Sequence, residues 1–207
     1  EDSRTKETLE YFSSIEVPNV TWNFQPMKKE KIFRRGIGRN MAAQSTSADW
    51  VWFTDCDIIF HANCLDSLAE ELQGKTESLY YPHFEFTTEM LADSDPMLQE
   101  QSKPQIVDID AGNFSQHYRD KAKGAFQIVH GDVARAIGYC DKLRMFQTES
   151  KRWRKTFEDT AFKWLINSEG VPIDIDGVFQ IRHIKKGRYK ENSTVSDVRS
   201  KIRRIQE

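Results

Sequence analysis

Apolar residues recur along this chain at two spacings, one helical and one extended. Leu9, Phe12 and Ile15 predict a helix over 5–16, ended by Pro18-Asn19. Ile37, Met41, Ala42 and Ser45 mark one side of a second helix, which grows out of the basic stretch 28–39 and runs through 48. Leu65, Leu68 and Leu72 predict a third, with Asn63 as N-cap and Gly74 as stop. Asp132 caps a short helix ending near Gly138, and Ala161, Phe162, Leu165 and Ile166 line another over 157–168. Val195, Val198, Ile202 and Ile205 give the tail a terminal helix. Strand-like runs occupy 20–25, 50–54, 79–86, 106–109, 125–129, 171–175 and 178–184. Residues 87–104, polar and with two prolines, form a long loop with room for one helical turn, and 142–155 is charged and irregular. No repeat or interdomain linker interrupts this order. Strands alternating with helices predict a mixed α/β sandwich in a single domain.

The most informative run is Trp50-Val51-Trp52-Phe53-Thr54, which leads into Asp55-Cys56-Asp57 before Ile58-Ile59-Phe60 resumes the apolar pattern. An unbroken apolar run predicts a strand buried on both faces. Carboxylates at the end of such a strand lie where open α/β sheets bind ligands. Two like charges so close repel, and a hard divalent cation relieves them while leaving room for phosphate. The pair alone also describes a solvated turn; its apolar flanks favour a site.

Three further groups carry possible chemistry. Glu158-Asp159 opens a helix, where acidic residues complement the helix dipole or supply a general base. His183 shares a strand face with Phe179 and Ile181 and is expected to point inward, as a core residue or a ligand for Mn²⁺. Lys185, Lys186 and Arg188 follow it, either a solvated hairpin end or a clamp for diphosphate. Arg34-Arg35-Gly36-Ile37-Gly38-Arg39-Asn40 contains Gly-x-Gly without the rest of a dinucleotide fingerprint, which excludes that reading. An Arg-rich helix start can still face phosphate.

Composition narrows the class. A chain of 207 residues with 38% hydrophobic and 12% aromatic content can bury a real core. Its net charge of −2 gives no indication of a nucleic-acid partner. No apolar run approaches the ~20 residues of a membrane span, and the start has no signal-peptide pattern, so a cytoplasmic location is expected. Cys56, Cys64 and Cys140 lack Cys-x-x-Cys spacing, which fits a reducing compartment rather than disulfides or a zinc knuckle. Cys56, between two carboxylates, is expected to be a poor nucleophile and a small filler.

The ordered set "RRGIGRNMAAQSTSADWVWFTDCDIIFHANCLDSL", "GAFQIVHGDVARAIGY", "FEDTAFKWLI" and the late His183 resembles the family 2 glycosyltransferases of the GT-A fold. The resemblance spans nearly the whole chain. It implies one domain over 1–207 with a mixed, mostly parallel central sheet flanked by helices. In this reading 1–60 is a Rossmann-like nucleotide-binding half, 61–184 the acceptor-side half, and 185–207 a basic loop and C-terminal helix. Asp57 would bind the metal directly, Asp55 would reach the ribose or a metal-bound water, and His183 would complete the metal site. Asp159 would be the base, Glu158 would orient the acceptor, and Arg39 would lie near the nucleotide, with Lys186 and Arg188 on the diphosphate. The family opens with a strand, a helix and a second strand ending in an acidic-Ser turn. Here "EDSRTKETLEYF" resembles that turn and the next helix, with Asp2 in the acidic position and the preceding elements absent from the sequence.

The implied function is a metal-dependent, inverting, hexosyltransferase-type glycosyltransferase. It would use Mn²⁺ or Mg²⁺ to move a sugar from a nucleoside diphosphate, UDP for preference, to a glycan, a lipid-linked acceptor or another hydroxyl. The terminal helix, with Arg199, Lys201, Arg203 and Arg204 around its apolar stripe, either packs on the domain with a solvated basic face or touches an anionic membrane. The rival readings are a nucleotidyltransferase, a non-catalytic sugar-nucleotide-binding protein, and an unrelated α/β binding domain.

Overall fold

A computed structural model describes residues 3–92, 94–99, 103–106, 108–152, 156–183 and 198. The chain runs through α1 (Ser3–Ser14), α2 (Lys29–Ile32), α3 (Arg35–Ser45), β1 (Trp50–Phe53), β2 (Ile58–Phe60) and α4 (Cys64–Glu71). It continues through β3 (Leu79–Pro82), β4 (Phe84–Thr88), β5 (Phe114–Tyr118), β6 (Gln127–His130) and α5 (Gly131–Ile137). Last come α6 (Arg144–Gln147), α7 (Glu158–Leu165), β7 (Val171–Ile173) and β8 (Val178–Gln180).

The mixed α/β class expected from the sequence is present, but its single, mostly parallel sheet is not. The strands form two four-stranded sheets, ordered β1-β6-β3-β7 and β2-β8-β4-β5. Of the six pairings four are antiparallel; only β3–β7 and β4–β8 run parallel. The reason lies in short crossings. The chain passes from the first sheet to the second at Asp55-Cys56-Asp57, at His83, and between β7 and β8, so one apolar run feeds both sheets. His83 holds its crossing in place by donating its backbone N–H to the Ile173 carbonyl at 2.8 Å. The last crossing needs glycine. Gly177 has φ +69°, and a Cβ there would lie 2.7 Å from the Ala62 carbonyl oxygen.

Period-2 alternation covers both faces of the first sheet. Phe53, Leu79, Tyr81 and Val129 enter a core with Tyr139 and Phe162, while Tyr80, Ile128 and Ile173 enter another with Phe126 and Val178. Trp50 and Trp52 lean on that second core. β1 is nonetheless an edge strand, and only Phe53 of its four residues is fully buried, which corrects the expectation of full burial on both faces.

Other expectations also change. Residues 20–25 form no strand; Trp22 and Phe24 instead set their rings 5.0 and 5.9 Å from that of Phe12 on α1. The described residues of 106–109 form no strand either, and Ile106 donates its N–H to the Tyr11 hydroxyl at 2.6 Å. The basic helix breaks at Phe33-Arg34 into α2 and α3. The 142–155 stretch contains α6, and the 178–184 strand ends at Gln180, followed by an isolated Leu91–His183 bridge. Val198 is helical, while the rest of the expected terminal helix lies outside the described residues. No helix among the described residues is long and apolar enough to cross a membrane.

Candidate functional site

A cavity of about 480 Å³ opens where the first sheet crosses into the second. Its lining includes the cations Lys31, Arg34, Arg35 and Arg39 together with Asp55, Cys56, Asp57 and His183. Four sequence-predicted residues therefore meet here: Arg39, Asp55, Asp57 and His183.

The cationic part of the lining follows from α3. Arg35 and Arg39 stand four residues apart and so share a helix face. Between them Gly36 lets α3 approach α6, since a Cβ there would come within 2.9 Å of the Phe146 carbonyl oxygen. The Gly-x-Gly pattern thus serves helix packing, not a dinucleotide turn. Arg35 donates from Nη1 to both Asp55 oxygens, at 3.0 and 2.9 Å. Arg39 donates from Nη2 to Asp55 Oδ1 at 2.8 Å and to the Thr54 carbonyl at 3.2 Å. One carboxylate therefore binds two guanidiniums.

Two routes tie Asp55 to the start of α7. In the first, Arg35 Nε donates to Glu158 Oε1 at 3.2 Å. In the second, Arg39 Nη1 donates to the Tyr139 hydroxyl at 2.9 Å, Tyr139 donates to Gln127 Oε1 at 2.9 Å, and Gln127 Nε2 donates to the Asp159 carbonyl at 3.0 Å. Burial alone would lower the Arg35 pKa; Asp55 and Glu158 outweigh it and hold the group above its ordinary value. Burial raises the Tyr139 hydroxyl well above its ordinary value against the pull of Arg39, so it stays a donor.

Asp57 has the opposite character. Among the described residues its Oδ2 receives only a long 3.4 Å contact from Gln180 Nε2, and its Oδ1 is buried without a hydrogen-bond partner. An unpaired buried carboxylate oxygen costs more than the ~1–3 kcal/mol of a neutral group. A bound cation removes that cost. Asp57 thus fits a metal-ligand role, with the His183 imidazole on the same cavity. Asp55 does not fit it, because both its oxygens hold arginines. Among the described residues no three His, Cys, Asp or Glu groups converge on a metal position. A Mg²⁺-type ion accepts such a sparse site when substrate phosphates supply further oxygens.

Glu158, expected to orient an acceptor, is instead 1% exposed. Arg35 occupies its Oε1, and the Thr156 hydroxyl donates to its Oε2. It faces the protein interior. Asp159 is half-buried and does not line the cavity. Its carboxylate stands beside Gly124, where a Cβ would come within 3.1 Å of Oδ2. The Cys140 thiol donates to the Glu158 carbonyl at 3.3 Å, and its pKa is pushed up to about 12 by burial and then by Glu158 and Asp159. Cys56 is exposed at the cavity rather than a filler. Arg39 does line the cavity, yet it is 9% exposed and both its terminal nitrogens are engaged. Asp2, Lys186 and Arg188 lie outside the described residues.

Sequence reasoning placed Arg35 only in an Arg-rich helix start able to face phosphate, and gave no role to Tyr139 or Gln127. The i, i+4 spacing of Arg35 to Arg39 was the available signal for the first. The other two emerge only from long-range contacts. No family model, curated protein or solved structure matches the chain.

Proposed function

We propose that this protein is a metal-dependent, inverting glycosyltransferase with a GT-A-like arrangement. Its donor is a nucleoside diphosphate sugar, UDP-linked for preference, and its acceptor a hydroxyl on a glycan or lipid-linked sugar. The observation carrying this reading is that Asp57, whose buried Oδ1 has no hydrogen-bond partner among the described residues, lines one cavity with Lys31, Arg34, Arg35 and Arg39. The carboxylate suits a metal ion and the cations suit phosphate, which together describe a metal diphosphate. Asp57 and His183 would hold Mn²⁺ or Mg²⁺, which when bound neutralises charge on a departing diphosphate. Arg35 and Arg39 keep the Asp55 carboxylate fixed at the cavity edge. Asp159 is the base in this reading, taking the acceptor hydroxyl proton as the new bond forms. A single base facing away from the leaving group gives inversion. The nucleotidyltransferase alternative needs more acidic ligands than Asp57 provides.

A second reading has its own observation. Glu158 is turned inward and Asp159 lies off the cavity, which favours a sugar-nucleotide binder without transferase activity. Calorimetry with nucleoside diphosphates, with and without Mn²⁺, tests the shared part; no binding of any of them removes both readings. Asp57→Ala is expected to abolish metal-dependent binding and transfer together. Asp159→Asn is expected to abolish transfer while sparing affinity. If wild type binds yet no acceptor is ever glycosylated, the binder reading replaces the enzyme. Liposome sedimentation checks the proposed peripheral membrane contact of the terminal segment.

A further inference from the structure

The cations on the cavity wall are not equivalent. Arg39 is committed to Asp55, Thr54 and Tyr139. Lys31 lines the same cavity and makes no side-chain ion pair or hydrogen bond among the described residues. Among the described residues Arg34 has one side-chain bond, from Nε to the Thr148 carbonyl at 3.2 Å, which leaves both terminal nitrogens uncommitted. Arg35 uses Nε and Nη1 on Glu158 and Asp55, and its Nη2 makes no bond to any described residue. These three residues flank the break between α2 and α3 and all reach the cavity. Of the two carboxylates lining the cavity among the described residues, Asp55 is paired with arginines and Asp57 is not. The uncommitted groups are therefore mostly positive.

Guanidinium forks match phosphate oxygens two at a time, and an ammonium adds a point charge. We infer that Lys31, Arg34 and Arg35 form a diphosphate grip that binds without a divalent ion, and that Asp55 is the brace that aims Arg35 into it. This inference rests on the reading of the cavity as a sugar-nucleotide site and adds which residues hold the diphosphate. Asp57 and His183 would hold a metal ion more tightly once the gripped diphosphate supplies further oxygens.

The test is calorimetry on the full chain with inorganic pyrophosphate in EDTA at low ionic strength. Pyrophosphate is expected to bind. Lys31→Ala and Arg34→Ala are each expected to weaken it roughly tenfold, and the double variant by more. Arg35→Lys, which keeps the charge and removes the fork, is expected to cost a similar factor. UDP is expected to bind in EDTA at least as tightly as pyrophosphate. No binding in EDTA, an unchanged Lys31→Ala/Arg34→Ala variant, or exclusion of UDP each overturns the grip. Mn²⁺ separates this outcome from failure of the functional proposal. Pyrophosphate that binds only with Mn²⁺ overturns the grip and leaves the metal site standing. Binding in EDTA that Mn²⁺ and Asp57→Asn leave unchanged supports the grip and removes the metal.

Discussion

Arg35→Met is the most informative single perturbation of the packing that supports the cavity. Arg35 donates to Glu158, whose side chain is 2% exposed, so the substitution leaves a buried carboxylate with only the Thr156 hydroxyl. Breaking a buried ion pair from one side costs about 3–5 kcal/mol. Arg35 itself is 31% exposed, so water screens part of the loss and about 3 kcal/mol is expected, roughly a hundredfold in the unfolding equilibrium. Glu158→Gln alone leaves Arg35 paired with Asp55 and is expected to cost about 1–2 kcal/mol. In the double variant no charge is stranded, and the two losses fall short of additivity by about 2 kcal/mol. Urea unfolding followed by the fluorescence of the five tryptophans measures each corner of this cycle, with an unchanged m-value as the two-state check. A cost for Arg35→Met below about 1 kcal/mol, or coupling below about 0.5 kcal/mol, would refute the view that this pair anchors α3 to α7.

Tyr139→Phe leaves Arg39 Nη1 and Gln127 Oε1 without their buried partner, at a cost of about 2 kcal/mol and a Tm roughly 4–8 °C lower; a thermal melt near wild type would contradict it. Asp57→Asn removes the charge behind an orphaned buried oxygen, so the metal-free protein is expected to gain about 1 kcal/mol while losing Mn²⁺ binding. A drop in metal-free stability would mean that Asp57 has a structural task instead. Ellman's reagent is expected to label one thiol of the native protein, Cys56, because Cys64 and Cys140 are buried with pKa values pushed up to about 12. Mass spectrometry of the labelled chain checks the site, and native labelling of Cys140 would show that the core opens.

Strongly periodic helices and the aromatic strand were legible because their local pattern and their tertiary role agree. α1, α4, α7 and β1 are examples. Where the two disagree, the pattern misleads. Val20-Thr-Trp-Asn-Phe-Gln alternates like a strand, but no edge receives it, and its rings are consumed by Phe12. β5, in contrast, has one buried residue in five and little apolar signal, yet β4 pairs with it along its whole length. The run 79–86 reads as one strand because nothing local reveals that its ends belong to different sheets. The resemblance to glycosyltransferases implied that Asp55, Asp57, Arg39 and His183 serve one site, and all four line one cavity. The inward turn of Glu158 was not, because its partner Arg35 lies 123 residues away.

The three-body junction of Asp55 with Arg35 and Arg39, extended to Glu158, also constrains how this molecule can change over generations. Replacing any one charge exposes the remaining partners to mutual repulsion or stranded burial, so single steps away from the present set pass through a less stable protein. Variants that neutralise Arg35 and Glu158 together leave Asp55 paired with Arg39 and avoid that valley. Homologous chains should therefore vary at positions 35, 55 and 158 as a linked allele set. A library randomised at the three together should return paired solutions that one-at-a-time scanning discards.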